Sequence, residues 1–337
     1  MQKYLAALLF ALFVLGCAAK PWHRQAVVTA PPAPQEEAPS APTGEQAAQT
    51  PASDDRSGGS KAGESPKQAP VITAETTAQE EPLLYSQDGR LTHPWYAAPD
   101  ITAGYAGVKP NWFGESLKFK VGWSFITAGE AEIKTDKIVQ TEEGPAFAVE
   151  TYAQSYSVID RVFKVRDINV SWVSGALDRS LGYWQSVREG RYKRDEWLKF
   201  NYKTHDFLVH KLNNKGNLES YGGRFTGDKI WDMLSALYYV RNEPLPLKGE
   251  VYFDIVNTSK QYPLKVIVHG KESIKVKAGK FDCILVEPFI AGEGIFVSKG
   301  KSLKVWLTDD EYKMPVKMTA EVFIGSVHAE LTEYKRG

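Results

Sequence analysis

The chain has 337 residues, and its 41 basic and 41 acidic side chains give a formal net charge of zero. That balance argues against a general nucleic-acid binder, which needs a basic excess or stripe. Two cysteines exclude a disulfide scaffold and a four-thiolate zinc site, and 43% hydrophobic residues can fill the core of one large β domain.

The first element in chain order is a leader. Lys3 supplies positive charge, and residues 5–15 form an apolar run. The run has the length of a signal-peptide core and is too short to span a bilayer. It ends in Val14-Leu15-Gly16-Cys17, which resembles the bacterial lipobox. The resemblance implies a signal peptide over residues 1–16, cleavage before Cys17, and acylation of Cys17 as a stable membrane anchor. The alternative is an ordinary secretory signal that contains a cysteine. Ala18 follows, rather than the aspartate that retains many lipoproteins at the inner membrane. The expected address is the outer membrane, facing the periplasm. No later stretch has the length of a transmembrane helix.

Residues 17–82 read as a tether. Pro, Ala, Gln, Glu, Ser, Thr and Gly dominate, aromatics vanish after Trp22, and residues 18–82 carry nine acids and five bases. Such a segment buries too little apolar area to offset its ordering entropy, so disorder is expected. As a flexible coil its r.m.s. span is about 45 Å. The expected role is spacing; a Pro-rich partner motif is the alternative. Residues 83–110, with Trp95, Tyr96 and Tyr105 among prolines and glycines, are expected to be an irregular lead-in packed on the domain surface.

From residue 111 to 337 the pattern is β. Leu117, Phe119, Val121, Trp123 and Phe125 occur at period two, which predicts a strand with one buried face. A turn is expected over residues 126–130, around Ala128-Gly129. Alternation resumes at Phe147/Val149, Leu198/Phe200/Tyr202, Val251/Phe253/Ile255, Leu264/Val266/Val268 and Val316/Met318/Ala320/Val322/Ile324. It ends at Val327/Ala329/Leu331. One-sided alternation favours antiparallel pairing. Residues 228–241 break the period: Ile230, Met233, Leu234, Leu237 and Tyr238 lie at helical spacing. Thr226 or Asp228 is the expected cap, with Asp232 near the positive end of the dipole. The predicted fold is all-β and mainly antiparallel, a strongly curved sheet or open barrel-like domain with one amphipathic helix.

The run Asp232-Met233-Leu234-Ser235-Ala236-Leu237-Tyr238-Tyr239-Val240-Arg241 resembles the signature helix of the DUF3108 family. So do Leu247-Lys248-Gly249, then Val276 through Cys283, then Val305-Trp306-Leu307-Thr308-Asp309-Asp310. Met314-Pro315-Val316-Lys317 and Ile324-Gly325-Ser326 continue the order. The resemblance implies an exported bacterial envelope protein with a barrel-like antiparallel fold. It brings no catalytic residues.

The residues themselves offer little chemistry. The six histidines form no metal-ligand spacing, and Cys283 sits in an apolar stretch expected to be buried. Asp309 and Asp310 are adjacent, so on a strand they would point to opposite faces; a turn is expected there instead. No catalytic residue, metal or cofactor is expected, and the chain is not expected to be an enzyme. Residues 183–202 interleave Trp184, Tyr192 and Trp197 with Arg188, Arg191 and Arg194. Aromatic planes beside guanidinium donors suit glycans or anionic lipid headgroups. The alternative is a half-buried hairpin. On a regular strand Trp184, Arg188, Tyr192 and Arg194 share one face, with Arg191 and Trp197 on the other, unless a turn at Glu189-Gly190 changes the phase. The expected function is therefore non-catalytic: the anchored β domain binds an envelope lipid, glycan or protein. An assembly subunit of an envelope complex is the alternative, with an enzyme acting on glycan or lipid as a third reading. Partners are the membrane, through Cys17, and no nucleic acid.

Overall fold

The computed structural model describes residues 83–258, 260–290, 302–321 and 325–337. The leader, Cys17 and the tether lie outside the described residues.

Fifteen strands make one sheet, and it is built from the middle outwards. One run of antiparallel neighbours comprises β3 (Ser116–Trp123), β4 (Ile126–Thr141), β5 (Gly144–Ser155) and β6 (Arg166–Ser174). It continues through β7 (Ser180–Glu189), β8 (Tyr192–Asn201), β9 (Asp206–Leu212) and β10 (Leu218–Arg224). On the other flank of β3 lies β17 (Ser326–Lys335), followed by β16 (Pro315–Glu321), β15 (Leu303–Thr308) and β14 (Gly279–Ile290). Then come β13 (Lys260–Val276), β12 (Glu250–Asn257) and β11 (Ile230–Trp231). The β11–β12 pair is parallel and every other pair is antiparallel. Right-handed twist accumulated over this many strands curls the sheet, and register shifts in β3–β4, β4–β5 and β13–β14 add bends.

The sheet stays open, with β10 and β11 as its edges. Gln261 spans part of the gap with its side-chain amide. Its Oε1 accepts from Thr226 N (2.8 Å) and its Nε2 donates to Thr226 O (3.1 Å). The side chain thus serves the Thr226 peptide as a neighbouring strand would.

The concave face holds the main core: Phe119, Ile133, Phe147, Leu198, Phe200, Val266, Leu307 and Val316 are buried there. A second apolar layer lies on the convex side of β5 to β8. Residues 83–104 cover it with β1 (Leu84–Tyr85), β2 (Leu91–Thr92) and two short 3-10 turns. Leu91 and Trp95 pack there on Trp172, Trp184 and Trp197. Both faces of β7 are therefore buried, and its sequence shows no clean alternation.

Two expectations change. The first turn falls at Ser124-Phe125, not at 126–130: Trp123 pairs with Ile126, and Ser124 has φ 52°. Gly129 lies inside β4, where a Cβ would overlap the Gln154 carbonyl of β5. It marks a close approach of backbones, and the fifth apolar residue, Phe125, is left 94% exposed at the hairpin tip.

The helix also starts later than expected. Among the described residues there are two helices, α1 (Ser157–Asp160) and α2 (Ser235–Asn242). Ile230 and Trp231, expected to be helical, pair with β12 instead. The cap is Asp232, not Thr226 or Asp228. The Asp232 carbonyl accepts from Ala236 N (3.0 Å), and its Oδ1 accepts from the N–H groups of Leu234 and Ser235 (2.8 and 3.0 Å). Its Oδ2 accepts from the hydroxyls of Ser171 on β6, Ser180 on β7 and Ser235, at 2.5 to 2.7 Å. At the far end Arg241, 2% exposed, pairs with Glu115 at 2.5 Å and donates to Tyr312 O. Burial pushes the Glu115 carboxyl up, and Arg241 opposes that shift. The Tyr238 ring stacks edge-on against Trp112 at 4.8 Å.

Asp232→Ala should lower stability by several kcal/mol, because it strands three buried hydroxyls and two helix N–H groups. Asp228→Ala, at an exposed site, should change it by less than about 0.5 kcal/mol. Urea denaturation measures both; equal midpoints would contradict the cap assignment.

Candidate functional site

The segment 183–202 folds as the β7–β8 hairpin, turning at Gly190 with φ 56°. The turn does change the phase. Trp184 stands opposite Trp197, Arg188 opposite Lys193, and Val187 opposite Arg194. Trp184, Arg188 and Trp197 therefore share the convex face, while Tyr192 and Arg194 take the other.

The six candidate residues separate into three environments. Trp184 and Trp197 are buried beneath the lead-in: Trp184 Nε1 donates to Leu91 O (2.8 Å), and the His93 ring lies 5.1 Å from Trp197. Arg188 forms a bidentate pair with Asp195 at 2.7 and 2.9 Å. That carboxylate also accepts from Ser186 Oγ and Leu91 N, so it fastens the lead-in to the hairpin. Arg194 lies inside, 4% exposed, with Glu196 at 3.9 Å. Arg191 and Tyr192 sit exposed at the tip. No one face carries all six.

The inner face around Arg194 is a polar layer within the apolar core. Gln185 Nε2 donates to Glu196 (3.0 Å), Tyr183 OH to Asn169 (2.9 Å), and Asn169 Nδ2 to Thr151 (3.0 Å). Asp167 and Glu189 are also buried, and burial raises both carboxyls. Asp167 raises Glu189 further, while Arg194 opposes it. Asp167 Oδ1 accepts from Arg188 N (2.7 Å), and Gln185 Oε1 and Glu189 Oε1 have no hydrogen-bond partner among the described residues. The cavity beside Tyr183, Gln185, Asp232 and Met233 is about 10 Å³, room for about one water molecule.

An open trough of about 590 Å³ lies outside β3 to β6, lined by Lys118, Lys120, Glu130, Glu132, Tyr152 and Arg166. Its charges are largely matched internally, as in Lys118–Glu333 at 2.9 Å. Asp309 pairs with Lys271, and Asp310 Oδ1 accepts from Thr308, Tyr312 N and Lys313 N in the β15–β16 turn. Cys283 is fully buried, and burial pushes its thiol up to about 12. Among the described residues, no three His, Cys, Asp or Glu side chains are grouped to hold a metal.

Trp184→Ala should cost about 3–5 kcal/mol, as for other buried aromatic truncations. Tyr192→Ala, at the exposed tip, should stay within about 0.5 kcal/mol. Chemical denaturation of the two variants distinguishes core from surface; a folded Trp184→Ala protein of unchanged midpoint would contradict the packing described.

No curated protein matches the chain. Among solved structures, it is similar to a β-barrel-like protein of the DUF1849 domain from Brucella abortus. That match has 7% identity and a TM-score of 0.44, over 68% of this chain and 100% of the other. It is also similar to a candidate lipoprotein from Parabacteroides distasonis, with 11% identity and a TM-score of 0.32, over 67% and 97% of the two chains. A candidate exported protein with a YmcC-like fold from Bacteroides fragilis shows 10% identity and a TM-score of 0.30, over 68% and 100%. The decisive match is by sequence. The family model described as "Protein of unknown function (DUF3108)" matches residues 118–332, from β3 into β17 and through the helix held by Asp232 and Arg241. The chain belongs to the DUF3108 family.

Proposed function

We propose that the protein is a lipid-anchored envelope protein, held at the outer membrane facing the periplasm, whose β domain engages an envelope component without catalysis. The anchor is Cys17, at the end of the apolar leader. One observation carries the binding part of this reading. Among the described residues the concave face carries the main apolar core and α2, and the cavity beside Tyr183 and Asp232 is about 10 Å³. An engaged lipid, glycan or protein therefore meets the outside of the domain. Carriage of an acyl chain within the sheet would need a cavity of hundreds of Å³.

The assembly-subunit reading has one observation in its favour. Among the described residues β10 has a neighbour on one flank only. Such an edge offers unpaired backbone groups to an added strand.

The first test is acylation. Cells grown with radiolabelled fatty acid should incorporate label into the wild-type chain and not into Cys17→Ala. The variant should leave the membrane fraction. Equal labelling of the two would overturn the anchor and, with it, the proposed address.

A further inference from the structure

Five loop tips meet at one end of the sheet, and backbone-anchored hydrogen bonds join them in sequence. Ser124 N of the β3–β4 tip donates to Ser326 O at the start of β17 (2.7 Å). Tyr156 N of the β5–β6 connection donates to Ala128 O (3.1 Å), just beyond that same tip. Gly190 N of the β7–β8 tip donates to Lys164 O (2.7 Å). Lys193 N donates to Asn214 Oδ1 of the β9–β10 tip (2.8 Å). The tips form a continuous rim, away from α2 and the Arg241–Glu115 pair.

The chemistry of this rim is uneven in a particular way. Phe125 is 94% exposed, Val162 77% and Val158 68%, and Ile126 and Tyr156 are exposed beside them. At such exposure Phe125, Val158 and Val162 contribute little packing within the domain. Arg161, Lys164, Arg191, Lys193 and Lys215 are exposed along the same rim. The nearby acids only partly offset them: Asp160 is paired with Arg166 at 2.7 Å, Glu219 with Lys211 at 3.9 Å, Glu189 is buried, and Glu130 lies exposed beside the β3–β4 tip. Apolar tips flanked by partly offset basic side chains match the boundary of an anionic bilayer, where acyl chains lie beneath negative headgroups.

We infer that this rim seats on an anionic lipid surface. Phe125, Val158 and Val162 enter the interface, and the five basic residues face the headgroups. The inference rests on the proposed membrane anchorage. The 65 residues at 18–82, read as a coil, span about 45 Å. A ten-residue strand is about 33 Å long. The chain between anchor and domain is thus long enough for the rim to turn to the bilayer.

The test uses the full chain reconstituted with phosphatidylglycerol–phosphatidylcholine vesicles or with phosphatidylcholine alone. Thr127→Cys places a thiol on the rim, and Glu143→Cys places one in the β4–β5 turn at the opposite end. A membrane-impermeant maleimide reports access, with mass spectrometry locating the label. Labelling at position 127 should be about tenfold slower on the anionic vesicles than on the neutral ones, and unchanged at 143. Arg161→Glu/Lys164→Glu, or Phe125→Ser/Val162→Ser, should restore fast labelling at 127 with circular dichroism unchanged. Equal labelling at 127 on both vesicles overturns the inference. Protection at 127 in native envelopes with none on either vesicle also overturns it, in favour of a protein occupant. Flotation separates the anchor from the rim. A chain that floats with both vesicles and labels equally keeps the anchor and loses the rim. A chain that floats with anionic vesicles alone, protected at 127, keeps the rim and loses the anchor.

Discussion

Asp232 and Arg241 are charged residues buried at opposite ends of one eight-residue helix, and each is bonded to a different part of the sheet. Asp232 takes hydroxyls from β6 and β7. Arg241 takes Glu115, just before β3, and the carbonyl of Tyr312 between β15 and β16. Removing one partner of such a buried pair costs about 3–5 kcal/mol, because the other is left charged and dry. In this seating the Asp232 carboxylate and the Nε and Nη2 groups of Arg241 are bonded, while Arg241 Nη1 and Tyr238 OH have no hydrogen-bond partner among the described residues. That seating links the two flanks of the curled sheet through one helix. Lys313 Nζ on Arg241 O closes the last turn, and Gln261 on β13 holds the Thr226 peptide that follows β10.

This arrangement directs any function outwards. The concave face is occupied by the helix and by aromatic residues such as Trp112, Phe147 and Tyr238. The convex face of β5 to β8 is covered by residues 83–104, fastened through Asp195 and Trp184. The outer features among the described residues include the charged trough outside β3 to β6, the β10 edge, and the rim bearing Phe125, Val158 and Val162. The rim differs from the other two because its apolar groups are exposed at loop tips rather than matched within the domain.

Much of the fold was legible because period-two alternation reports a strand with one wet face. β3, β12 and β16–β17 were read in this way, and the Asp-Asp turn followed from parity. β7 was harder, since the lead-in buries its second face and removes the alternation. Gly129 misled because glycine serves both turns and close strand approach, and local sequence does not separate the two. The helix start was misplaced because Ile230 and Met233 fit a helical stripe. The bond from Asp232 to Ser171, sixty-one residues away, has no local signal. For residues 183–202 the local sequence shows the residue types but not their neighbours. The parity of Arg194 with Leu198 and Phe200 already placed it on the core face. Nothing in the sequence, however, put Trp184 beneath Leu91. Phe125 was assigned to the core by alternation, and only the turn at Ser124 reveals it as the most exposed large apolar side chain described.

Native-state hydrogen exchange on Asp232→Asn and Arg241→Met tests most directly whether the helix holds both flanks. The account predicts that either substitution lowers protection in β6–β7 and in β15–β16 together, since each end constrains the same helix. Loss confined to β6–β7 in the first variant and to β15–β16 in the second would contradict it, leaving the helix as a local plug on an independently curved sheet.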